Sequence, residues 1–68
     1  MDQETFNLSI RKFLKMVGVS SQRDIEHAVQ DALAAGGISG TESFPARMVL
    51  EIPKLKLNVH FDGEIRLR

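Results

Sequence analysis

From Ala46 to the end of the chain, apolar residues fall at every second position through three short runs. Ala46, Met48, Leu50 and Ile52 form the first, Leu55, Leu57, Val59 and Phe61 the second, Ile65 and Leu67 the third. A period of two puts one face of a strand toward a core and the other toward water, and no helix carries that pattern. Two segments with helical spacing precede it. The pattern predicts an α+β fold: two N-terminal helices packed on one face of a three-stranded antiparallel β-meander, in one domain over residues 1–68.

The first helix is expected over residues 2–17, where Phe6, Ile10, Phe13, Leu14 and Val17 line one stripe. Asp2 and Glu4 near its start and Arg11, Lys12 and Lys15 toward its end suit the helix dipole. Gly18 is read as the left-handed stop, with Val19 reaching back to Leu14. Ser20 or Ser21 then caps a second helix with the stripe Ile25, Ala28, Val29, Ala32 and Leu33. Gly36 and Gly37 end it, with Gly37 in the left-handed position and Ile38 against Leu33. Residues 38–45 lack periodicity and are expected to form a loop.

The strands are expected over residues 46–52, 55–61 and 64–68. A turn at Pro53 and Lys54 pairs Ile52 with Leu55, Leu50 with Leu57 and Met48 with Val59. Proline excludes the primed turns, which favours a four-residue type I connection. A two-residue turn at Asp62 and Gly63 would point Ile65 outward, so a three-residue loop Phe61-Asp62-Gly63 with a glycine bulge is preferred.

Composition narrows the function classes. A chain of 68 residues buries only about 60% of its unfolded surface, a thin core with little room for an enzymatic pocket. Cysteine is absent, which excludes disulfides, thiolate metal sites and thiol catalysis. Nine basic and nine acidic residues cancel, leaving no overall drive toward nucleic acid or an anionic membrane. No long apolar run occurs, and Asp2-Gln3-Glu4 is no secretory n-region. A soluble cytoplasmic protein with no membrane association is expected.

The sharpest candidate for a site is the segment 14–25, in which glycine, a hydrophobe and serine open a helix as in helix-turn-helix DNA readers. Ser21, Gln22 and Arg23 would then face bases or phosphates. Three features disfavour this. Ile25 falls one residue late, Leu14 stands where a small residue is usual, and Asp24, Glu26 and Asp31 repel phosphate. The outer sheet face, with Arg47, Lys56, Arg66 and Arg68 against Glu51 and Glu64, is mildly basic but lacks an exposed aromatic platform. Gln22, Arg23, Arg47, Lys56 and Arg66 are thus the candidate nucleic-acid contacts, possible but disfavoured.

His27 lies off the apolar stripe, and His60 near Glu64 reads as a solvated polar pair; neither has convergent metal ligands. Gly36, Gly37 and Gly40 follow a helix and lack the lysine-serine pair of a phosphate loop. No catalytic residue, cofactor or metal is expected. The edges of the sheet, residues 46–52 and 64–68, invite strand addition from a partner or a second copy. A non-enzymatic protein-interaction or oligomerisation module, with homodimerisation as one route, is the leading expectation.

Three stretches also carry a resemblance: Glu4 to Lys15, Val17 to Glu26, and Phe61-Asp62-Gly63-Glu64-Ile65. Together they resemble a family of small proteobacterial proteins classed as a domain of unknown function, over nearly the whole chain. The resemblance implies a free-standing bacterial protein and supplies no activity, cofactor or functional residue.

Overall fold

The computed structural model describes residues 1–68 as two units, Met1–Gly37 and Ile38–Arg68. The first is one α-helix, Gln3–Ala34 (α1), of 32 residues, about 48 Å long at 1.5 Å per residue. Asp2 caps it, its side chain accepting from the N–H groups of Glu4 at 3.0 Å and Thr5 at 3.3 Å and from the Thr5 hydroxyl at 2.8 Å. These hydrogen bonds, led by that of the hydroxyl, hold the Asp2 carboxyl below its usual pKa.

The expected pair of helices is therefore corrected to one. Gly18 lies inside α1 with an ordinary helical backbone, and Ser20 and Ser21 cap nothing. A glycine in a helix interior costs only about 1 kcal/mol relative to alanine. Ending the helix there would orphan up to four carbonyls and four N–H groups. The stripe agrees, since Leu14, Val17, Ser21, Ile25, Ala28 and Ala32 follow at steps of three and four straight through Gly18.

The helix does end near the expected glycines, one residue earlier than anticipated. Gly36, at φ 76°, takes the left-handed position. Its N–H donates to Leu33 at 3.1 Å and that of Gly37 to Ala32 at 2.9 Å, the paired bonds of a Schellman ending.

The second unit is a hairpin of two ten-residue strands, Ser43–Ile52 (β1) and Leu57–Arg66 (β2), paired antiparallel. The three-stranded meander is thus corrected to a two-stranded sheet. β1 begins at Ser43, inside the segment expected to be a loop. Asp62 and Gly63 neither turn nor bulge; they pair with Arg47 and Ala46 within an unbroken ladder. The alternation Leu57, Val59, Phe61, Gly63, Ile65 never changes phase, so a straight strand keeps every apolar side chain on one face, and a reversal would forfeit the ladder beyond it.

Four residues connect the strands, as expected, but the pairing is displaced by two positions. Ile52 faces Leu57, Leu50 faces Val59 and Met48 faces Phe61. A shift of two preserves the face. Pro53–Leu55 form a single 3-10 turn, and Lys56 closes it in the left-handed region at φ 55°, its N–H donating to Pro53 at 3.0 Å. Leu55, expected in a strand, sits in this turn at 69% exposure.

No residue of the chain is buried. Each unit, taken by itself, leaves its large apolar residues exposed or half-buried.

Candidate interaction surfaces

The first surface is the apolar stripe of α1. Phe6, Ile10, Phe13, Leu14 and Ile25 are all exposed, while Val17, Ser21, Val29 and Ala32 are half-buried. The stripe repeats every eleven residues: Phe6, Val17 and Ala28; Ile10, Ser21 and Ala32; Leu14 and Ile25. An eleven-residue repeat matches 3.67 residues per turn, so the stripe stays nearly parallel to the axis of a straight helix.

The second surface is one face of the hairpin. Phe44 and Ile65, Ala46 and Gly63, Met48 and Phe61, Leu50 and Val59, and Ile52 and Leu57 form five apolar rungs. Phe61, at 60% exposure, is the most open of their large side chains. Both outer edges of this hairpin also leave backbone donors and acceptors free.

The opposite face of the hairpin is polar. Arg47 Nε donates to Asp62 Oδ1 at 2.7 Å across the strands, and His60 Nε2 lies 3.3 Å from Asp62 Oδ2. Asp62 joins this face only because β2 runs through it, and it takes the place beside His60 that Glu64 was expected to hold. More than half of each partner's side-chain surface is exposed, so the ion pair contributes little to stability.

Before β1, the chain folds onto its own carboxylate. The N–H groups of Ser39 at 2.9 Å, Gly40 at 2.9 Å and Thr41 at 3.2 Å all donate to Glu42. Hydrogen bonds from backbone N–H groups, that of Ser39 foremost and that of Gly40 among them, lower the Glu42 carboxyl from 4.5 to about 2. The folded pKa is depressed, so this anchor is in force above pH 4.5 and lost as pH falls toward 2. In an NMR pH titration, the Ser39 and Gly40 amide signals are expected to move with a midpoint near 2 instead of 4.5. A midpoint at the ordinary glutamate value would show that the anchor is absent.

One family model, described as a family of unknown function (DUF6494), matches residues 1–68, the whole chain. The chain belongs to the DUF6494 family. No curated protein and no solved structure matches it. The surfaces above therefore stand on the physical chemistry of this DUF6494 chain.

The candidate contacts for nucleic acid divide between the two units of the DUF6494 chain, Gln22 and Arg23 in the first and Arg47, Lys56 and Arg66 in the second. Gln22 and Arg23 lie mid-helix, lining a shallow open depression with Val19 and Glu26. α1 is continuous through residues 14–25, so the turn that would set a recognition helix in a helix-turn-helix is missing. Arg47 is engaged by Asp62. Lys56 occupies the connecting turn, and Arg66 closes β2 at its far end, with Nη2 donating to the Arg68 carbonyl at 3.4 Å. His27 and His60 belong to different units, and no group of three or more His, Cys, Asp or Glu residues converges as metal ligands. No helix is long and apolar enough to cross a membrane.

The Arg47–Asp62 pair and the Glu42 anchor escaped the sequence reading. The first becomes visible once β2 is taken as unbroken, which sets residue 62 opposite residue 47. The second depends on backbone N–H groups that no side-chain pattern advertises.

Proposed function

We propose that this DUF6494 chain is a non-enzymatic protein-interaction or oligomerisation module acting in the cytoplasm. One observation carries the reading: both units display an apolar face, and no residue is buried. A two-stranded hairpin alone is marginal in water. A helix in water draws most of its stability from packing an amphipathic face against something else. Ten-residue strands with five matched apolar rungs are a face built to be covered.

The reading is tested by following far-ultraviolet circular dichroism and molar mass together as the purified chain is diluted from high micromolar to nanomolar concentration. Helical signal is expected to fall as the mass falls, because burial on the partner surface stabilises the fold by mass action. A monomer that keeps its full helical signal and amide protection at the lowest concentration would overturn the proposal.

A further inference from the structure

We infer that the partner of α1 is α1 of a second copy, lying antiparallel to it with the two-fold axis near Val19 and Ser20. This rests on the interaction-module reading above and names the occupant of the helix surface.

A straight stripe with an eleven-residue repeat suits a paired helix, because two such helices stay in contact along their length.

Volume sets the direction. The N-terminal half of the stripe is bulky, with Phe6, Ile10, Phe13 and Leu14; the C-terminal half is slight, with Ile25, Ala28, Val29 and Ala32. An antiparallel pair centred near Val19 and Ser20 sets Phe6 by Leu33, Ile10 by Val29 and Leu14 by Ile25, so the bulkier half of each stripe lies along the slighter half of the other. A parallel pair would crowd phenylalanines at one end and face alanines across a gap at the other.

Charge points the same way. Arg11, Lys12 and Lys15 fill the first half of α1, and Asp24, Glu26 and Asp31 the second. None of them makes an ion pair within the chain, where the two close pairs are Arg47 with Asp62 and His60 with Asp62. Asp31 even lies toward the C-terminal end of its own helix, where the dipole disfavours an anion and no basic residue occupies the last turn. Antiparallel pairing brings the basic stretch of one copy alongside the acidic stretch of the other, and Asp31 toward the positive end of the partner helix. Arg11, Lys15, Gln22 and Glu26 form one line beside the stripe, at steps of four, seven and four. A two-fold axis sets this line against itself, Lys15 within a turn of Glu26 on the other copy. Parallel pairing would stack like on like.

The chain has no cysteine, so Ser20→Cys and Gln30→Cys each carry one spin label on the intact protein, and electron-electron dipolar spectroscopy reads the distance between copies. At residue 20 a short distance is expected. At residue 30 the antiparallel pair gives about 30 Å, from the 1.5 Å rise per residue. Short distances at both positions would mean a parallel pair and overturn the inference, as would a dimer with no resolved distance at residue 20, which would place the contact elsewhere. A monomer with neither distance also overturns it. If that monomer loses its helix on dilution, the interaction-module reading stands with a different partner; if it keeps its helix, both fall.

Discussion

Replacing Gly18 with proline is expected to cost roughly 3 kcal/mol or more and to collapse the helical signal of the chain. Proline at this position removes the N–H that donates to the Leu14 carbonyl and drives its ring into that same carbonyl. A chain with no buried residue has little other stability to draw on, and typical domains have only about 5–15 kcal/mol. Gly18→Ala is expected to act in the opposite sense, adding about 1 kcal/mol. Gly18 has no positive φ, and a Cβ placed on it meets nothing within 4 Å. Thermal melts monitored at the helical band separate the outcomes. Had Gly18 been a left-handed stop between two helices, alanine there would destabilise by straining φ. A loss of stability in Gly18→Ala would therefore argue for two helices.

The second large effect is expected from Leu14→Asp, set against Met16→Asp as its control. The two residues are matched in the free chain, at 56% and 53% exposure, but Leu14 lies on the stripe and Met16 on the far side of α1. If the stripe stayed wet, both substitutions would fall within about 0.5 kcal/mol of wild type, as surface changes do. With the stripe covered, Leu14→Asp forfeits the burial of a leucine and carries a carboxylate into an apolar seam. A loss of about 3 kcal/mol per copy is expected, about 6 kcal/mol for a dimer that carries it twice and roughly ten-thousandfold in the dissociation constant. Sedimentation equilibrium on the three proteins measures it directly. Equal dissociation constants for the two variants would remove the stripe from the interface.

Both units were partly legible in the sequence, and both misreadings arose in the same way. Gly18 and Asp62-Gly63 permit a reversal, and the expectation of a turn there treats permission as compulsion. The phase of the pattern said otherwise: Leu14, Val17, Ser21 and Ile25 keep helical spacing across the first, and Phe61, Gly63 and Ile65 keep strand alternation across the second. Glycine lowers the barrier to turning but supplies no force to turn, and an uninterrupted backbone ladder holds the chain straight unless tertiary packing opposes it. The faces themselves were readable, because a two-residue error in the Ile52–Leu57 register leaves every side chain on its side. The polar constellation was not readable, because Asp62 becomes a partner of Arg47 only once the strand is drawn through it.

The bareness of both units also fixes how the protein answers to temperature. The heat capacity of unfolding scales with the apolar area newly exposed to water. A lone chain that already exposes its apolar faces has little left to expose, so its melting is broad and nearly without curvature. Curvature, a sharp midpoint and resistance to warming enter only with the water expelled between surfaces that meet. If two copies meet as proposed, the calorimetric midpoint is expected to rise with concentration, and a midpoint that stays fixed would argue against self-association.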